Sequence, residues 1–360
     1  MSAEFEALII GEDPTSFSSS VGSNDIDFRD AIPLDIISPW KSRKNAHDIV
    51  KGVITPYLTL ENATYRFGVG ENSTQSFTFR GDSIFYTPGQ PWLEEFPNTG
   101  AGPYTLENSN TATLFDNAGD SLYVLSVCLF DSTSKAYKRL FYDSTGNTGY
   151  LNTSTSVTLY DDLSGTYDTV RITYGTDAGT FDYDQTGQNF EGSQLIHPSA
   201  SVKPAAIRGK DIEIYLASAD ATTTFTKFTN VQNVEATWSV TLENDEELGN
   251  ERYVDTDYDV PEVSGSIGLK PYDPADLFSK VAQITGVDTA EIIGPNTTVT
   301  IPMEILIKHP DTGTVLKTLY TPDARFTVPG YSGQANSKLE TSASWSSDSG
   351  VLLVYNGERT

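Results

Sequence analysis

The sequence predicts a mainly β chain built from two tandem β domains, each carrying a short helix, behind an N-terminal arm. Three observations carry this reading. The 360 residues suffice for about two domains of ordinary size. Thr, Ser and Val are abundant beside 19 Tyr and 17 Phe, a composition that suits pleated, half-buried surfaces. The order of elements in the first half also recurs in the second, and a repeat of that length defines the architecture.

Taken in chain order, residues 1–45 have no counterpart in the second half and read as an arm, ordered only where something holds it. Residues 46–186 read as the first β domain and 207–360 as the second. Between them, 187–206 has two prolines, small polar residues and no period, which suits a linker. Leu122–Phe130 is almost continuously apolar, so this strand is expected to be covered on both faces. Lys210–Leu216 and Thr298–His309 alternate with period two, the mark of a strand with one dry face.

Asp273–Gly286 reads as a helix. Asp273 is the cap, Pro274 takes the first helical position, Leu277, Phe278, Val281 and Ile284 share a face, and Gly286 ends it. Gln90–Phe96 is a shorter helical candidate. In the repeat, Ala63-Thr64-Tyr65 aligns with Ala236-Thr237-Trp238, and the hairpin ending at Tyr142 aligns with the one ending at Tyr320.

Several function classes are excluded or disfavoured. Cys128 is the single cysteine, which excludes an internal disulfide and a cysteine-cluster zinc site. Lys and Arg total 23 against 49 Asp and Glu, a formal charge of −26. Such a chain is a poor electrostatic partner for nucleic acid or an anionic membrane. No segment is expected to act as a signal sequence or to span a bilayer. The four Asn-x-Ser/Thr sequons, at Asn62, Asn72, Asn152 and Asn296, read as by-products of composition.

His47, His197 and His309 fall in unrelated contexts, none at metal or triad spacing, and no nucleophile-elbow, zincin, Walker or dinucleotide motif is present. The run Asp255-Thr256-Asp257-Tyr258-Asp259 fails as a calcium loop, because Val260 and Ser266 stand where Gly and Glu are needed. No carboxylate pair has the apolar setting of a glycosidase acid. The expectation is no enzyme activity, no cofactor and no metal.

The same run makes sense as a strand. Asp255, Asp257 and Asp259 fall on one face, with Val254, Thr256, Tyr258 and Val260 on the other, expected to pack on a core. Glu243, Asp245, Glu246 and Glu247 crowd the loop just before it. Trp40, Lys41, Arg43 and Lys44 form a basic-aromatic cluster in the arm, a candidate contact to a neighbouring subunit.

Ile207–Gly268, followed by Pro271–Val281, resembles the major tail tube proteins of long-tailed bacteriophages. The resemblance covers the second half well and the first through the repeat. It implies tail-tube-like β-sandwich or barrel domains with one flanking helix each. It implies a virion protein made in the host cytoplasm that polymerises as stacked rings into the tail tube, three two-domain chains per pseudo-hexameric ring. Tape-measure, terminator and distal tail proteins would be its partners. DNA would pass the lumen without specific binding during ejection.

On this view Asp255, Asp257 and Asp259 are lumen candidates, and the Glu243–Glu247 loop faces the lumen or the next ring. The cluster at Trp40–Lys44 contacts a neighbouring subunit. Two alternatives remain: another tail or capsid protein of related fold (terminator, distal tail, decoration), or a carbohydrate-binding adhesive protein using Trp40, Trp92, Trp238 and Trp345 as stacking platforms.

Overall fold

A computed structural model describes residues 2–8, 24–28, 34–41, 49–106, 123–175, 207–269, 300–332 and 340–359, apart from gaps at 82–83, 88–90, 134–135, 144, 147, 154, 161–163, 219–220, 230, 246–254 and 328–329. Among these residues the protein is built of β-strands in antiparallel sheets, with no α-helix. The helix expected at Asp273–Gly286 and the linker at 187–206 lie outside them.

The strands of the arm and first half are β1 (Ser2–Leu8), β2 (Asn24–Asp27), β3 (Leu34–Lys41), β4 (Ile49–Gly68), β5 (Thr74–Arg80), β6 (Phe85–Thr87), β7 (Pro91–Pro97), β8 (Tyr104–Thr105), β9 (Tyr123–Phe130), β10 (Tyr137–Leu140), β11 (Tyr150–Asn152), β12 (Ser156–Leu159) and β13 (Thr169–Gly175). Those of the second half are β14 (Ile212–Ser218), β15 (Ala221–Phe228), β16 (Val231–Ser239), β17 (Leu242–Asp245), β18 (Asp255–Tyr258), β19 (Glu262–Leu269), β20 (Ile301–Lys308), β21 (Val315–Phe326), β22 (Gly330–Ser332), β23 (Glu340–Ser347) and β24 (Leu353–Asn356).

One large sheet runs through both halves in the order β1-β5-β4-β16-β19-β23-β21-β20-β14-β15, with β2, β3, β6, β22 and β24 attached beside it. Strands of the arm are held: β1 by β5, β2 by β24 and β3 by β4. A four-stranded sheet, β10-β9-β13-β7, and a three-stranded sheet, β11-β12-β8, enclose a separate core of Val127, Leu129, Leu159, Val170, Ile172 and Tyr174, among others. The larger core joins Leu60, Ala63, Tyr65 and Phe67 of β4 to Trp238, Ile267, Ile305 and Trp345 of the second half. β4 thus crosses from one body to the other, which its 20 residues are long enough to do.

The two halves meet at β4 and β16. Ala63 stands opposite Trp238, Thr64 opposite Thr237 and Tyr65 opposite Ala236. This register is symmetric about the threonine pair, whose hydroxyls are 3.1 Å apart. The segments aligned as a repeat therefore lie across a local twofold relation, flanked by β5 on one side and β19 on the other. Farther out the surroundings differ. β9, β10 and β13 sit in their own sheet, whereas β20, β21, β23 and β24 belong to the large one.

Several expectations change on contact with the tertiary structure. Gln90–Phe96 is no helix: Pro91–Pro97 forms β7, paired along its length with β13. β7 is a sheet edge, where the missing N–H of Pro91 at the first position is tolerated. Glu94, in the middle of β7, is 2% exposed and accepts a hydrogen bond from the Tyr174 hydroxyl. β20 is buried from Ile301 to Ile307 and not on one face alone, because the Glu304 carboxylate is paired with Arg359 at 2.5 Å. β9 follows expectation, with every residue from Leu125 to Leu129 buried.

Across β14, β15 and β20, the Glu213 carboxylate accepts hydrogen bonds from Lys227 and Lys308, both at 2.5 Å, and from the Tyr215 hydroxyl at 2.9 Å. Burial by itself pushes this carboxyl up, but the three donors outweigh it and hold the pKa at about 2, against an ordinary 4.5. The folded state thus binds the proton more weakly than the unfolded chain. The network stabilises fully above about pH 4.5 and loses that contribution as pH falls toward 2. Glu213→Gln should lower the urea midpoint at pH 7 and flatten its fall between those values. A parallel pH profile for wild type and variant would contradict the assignment.

Candidate functional site

The acidic segments singled out in the sequence form one hairpin, β17–β18, a two-stranded sheet of its own. Glu243 stands opposite Asp257 and Asp245 opposite Asp255. Directly opposed positions in an antiparallel pair share a face, so alternation puts these four acidic positions on one side of the hairpin. Asp259 follows in register, donating its N–H to the Thr241 carbonyl at 3.0 Å, and Glu243 and Asp259 are exposed. Glu246 and Glu247 lie outside the described residues.

Like charges directly opposite cost the hairpin some stability, so something else must hold it. Leu242, on the opposite face, is buried in the larger core. The Leu242 carbonyl accepts a hydrogen bond from Arg80 Nη1 at 2.8 Å, while Arg80 Nη2 pairs with Glu61 at 3.1 Å. Val240 N–H donates to the Glu61 carbonyl at 3.0 Å. On the far side the Tyr258 hydroxyl lies 2.7 Å from that of Tyr137 on β10. The hairpin is thus pinned to β4–β5 at its base and to the four-stranded sheet at its flank. Arg80 and Tyr137 escaped the sequence reading, since they are separated from their partners by 162 and 121 residues.

The expected dry face of β18 is corrected. Tyr258, its last residue, is 44% exposed, and Val260, two residues beyond its end, is 76% exposed. The strand is short, and the core contact is made across from it by Leu242, which leaves the end of β18 in solvent.

Trp40 and Lys41 are the last two residues of β3, opposite Lys51 and Ile49 of β4. The basic stretch therefore extends to Lys51, which the sequence reading left out. Arg43 and Lys44 lie outside the described residues. Trp92, Trp238 and Trp345 are buried, which removes three of the four candidate sugar platforms. The His309 ring accepts N–H bonds from Asp311 and Thr312 through Nδ1 and shapes the β20–β21 turn. Among the described residues no group of His, Cys, Asp or Glu is arranged to hold a metal ion, and no helix is long and apolar enough to cross a membrane.

No protein-family model and no curated protein matches the chain. Among solved structures, it is similar to a chain in the virion of a native gene transfer agent particle, at 13% identity and TM-score 0.28 over 41% of this chain and 98% of that one. It is similar to a chain of the tube-terminating cap of the anti-feeding prophage, at 10% identity and TM-score 0.31 over 45% and 99%. A chain of the baseplate of the same particle gives 11% identity and TM-score 0.28 over 43% and 97%.

Proposed function

We propose that this chain is a structural virion protein of a long-tailed phage-type particle that polymerises as stacked rings into the tail tube. The observation that carries the reading is the large sheet. It runs unbroken through both halves and is open, ending at β1 on one side and β15 on the other, each with one unpaired edge among the described residues. An open antiparallel sheet with free edges is a template for pairing with further chains, and heterologous contacts of that kind close into rings or propagate as filaments. The resemblance of Ile207–Gly268 to tail tube proteins supports the same reading.

Three chains form a ring of six lobes. The twofold-like seam between β4 and β16 lies inside each chain, so contacts between chains use different edges and the true ring symmetry is threefold. The acidic hairpin lies on or beside the lumen, where hydrated carboxylates repel phosphate and let DNA slide through. The end of β3, with Trp40 and Lys41, touches an adjoining subunit. Tape-measure, terminator and distal tail proteins are the further partners, and the role is structural and not catalytic.

Electron microscopy of the purified protein at high concentration tests this. The expected result is long hollow cylinders with three chains per ring. Single closed rings that never stack would fit a terminator or decoration protein. Monomers at every concentration would overturn the tube assignment.

A further inference from the structure

One face of the four-stranded sheet is buried yet polar. Alternation turns Val127, Leu129 and Ile172 toward the apolar core, and Ser126, Cys128, Arg139, Arg171 and Thr173 the other way. All five are 8% exposed or less. Cys128 stands opposite both Arg139 and Arg171. What covers this face is β3, lying against β7, and the first part of β4, lying against β7 and β9. From that cover Ile54, Tyr57 and Leu58 are buried, though they belong to neither apolar core.

The cover is fastened by polar and cation–π contacts, by the Tyr57 ring meeting that of Tyr137 edge-on at 6.1 Å, and by the pairing of Gly52–Ile54 with β6. Asp35 Oδ2 accepts a hydrogen bond from the Thr173 hydroxyl at 2.5 Å. The Arg139 guanidinium stacks 4.6 Å from the centre of the Tyr57 ring. Segments held by few buried apolar contacts open at lower free energy than cores do.

A strained residue sits where the cover joins the larger body. Tyr57, at φ 54°, is the one non-glycine residue with positive φ among those described. A left-handed conformation in such a residue costs about 1–3 kcal/mol and persists only when its surroundings impose it. Asp35 imposes it here: Oδ1 accepts the Tyr57 N–H at 2.6 Å, at the point where the β3–β4 register shifts. The same carboxylate therefore caps the kink and ties the cover to β13.

We propose that β3 and the first part of β4, residues 34–41 and 49–57, together with the β6 strand paired to Gly52–Ile54, form a strap that swings off the polar sheet face as a unit while both apolar cores stay folded. Asp35 is its latch and Tyr57 its hinge. Beneath it lies the protein's single thiol. Cys128 is 3% exposed, and burial, followed by the charge of Asp35, pushes its pKa up to about 12. It cannot react until it is uncovered, so it reports on the strap without further engineering.

The test is the rate at which a maleimide labels Cys128 in the full-length protein, measured against urea and compared with global unfolding. The proposal expects labelling without urea at least about tenfold faster than global unfolding, with a much weaker urea dependence. Asp35→Ala should speed labelling by roughly tenfold, the usual effect of losing a hydrogen-bonded charge. Thr173→Val serves instead if that variant does not fold. Val157→Ala, in the apolar core on the opposite face, should leave the labelling rate unchanged. Labelling that tracks global unfolding overturns the proposal. So does an unchanged rate in the latch variants, or an acceleration by Val157→Ala as large as theirs.

Discussion

Gly265→Ala is expected to be among the most damaging single substitutions in this protein, lowering stability by about 3 kcal/mol, the top of the usual range for overpacking. Gly265 lies in β19, with Ala236 of β16 on one side and Trp345 of β23 on the other. A Cβ there would fall 2.0 Å from the Glu235 carbonyl oxygen and 2.6 Å from the Trp345 indole carbons. Neither neighbour can yield. The carbonyl belongs to a strand paired on both sides, and Trp345 is 1% exposed in the larger core. The strand must part from β16 or the indole must leave the core. Against a typical total of about 5–15 kcal/mol this is a large fraction. Urea unfolding followed by tryptophan fluorescence should show the midpoint fall. Gly165→Ala, where a Cβ meets nothing within 4 Å, should leave it in place. Equal midpoints for the two variants would show that the close approach at Gly265 does not constrain the sheet.

Replacing Asp255, Asp257 and Asp259 together by lysine should leave the chain folded and able to assemble, yet block or slow genome passage. The hairpin register explains the first half. The substitutions turn the opposed pairs Glu243–Asp257 and Asp245–Asp255 into opposite-charge pairs, each worth about 0.2–1 kcal/mol. The second half follows from the proposed lumen. Three charge reversals in a chain of formal charge −26 create local phosphate contacts where hydrated carboxylates had repelled them. The defect should deepen at low salt, since the Debye length grows from about 10 Å at 0.1 M to 30 Å at 0.01 M. Tube formation by microscopy and DNA release from particles read the two halves separately. Normal release from tubes carrying the substitutions would sink the conduit mechanism. An assembly structure with β18 on the outer wall would sink the placement.

How much of this was legible in the sequence depends on the range of the interaction involved. β9 could be read as doubly covered because the apolar run from Leu125 to Leu129 is itself the cause of its burial. β14 could be read from its alternation, and the acidic hairpin from two charged runs only a few residues apart. Gln90–Phe96 misled because Trp92, Leu93 and Phe96 have helical spacing, while the partner that makes β7 a strand is β13, more than 70 residues on. β20 read as one-sided because Glu304 looks like a solvent residue until Arg359 arrives beside it.

By itself, then, the sequence determined the β character of the chain, the strands whose own pattern dictates burial, and the clustering of acidic residues at 243–259. These depend on local composition and on a side-chain period of two residues. Only the tertiary structure decided which strands became neighbours. It paired the two segments aligned as a repeat across Thr64 and Thr237, ran β4 from beside the four-stranded sheet into the larger core, and fastened β1, β2 and β3 to strands of both halves. It also placed Asp35 under Tyr57 and Arg80 under Leu242. The reason is physical. A strand's edge groups are the same N–H and C=O whatever its sequence, so the choice among partners falls to packing and charge summed over residues far apart along the chain.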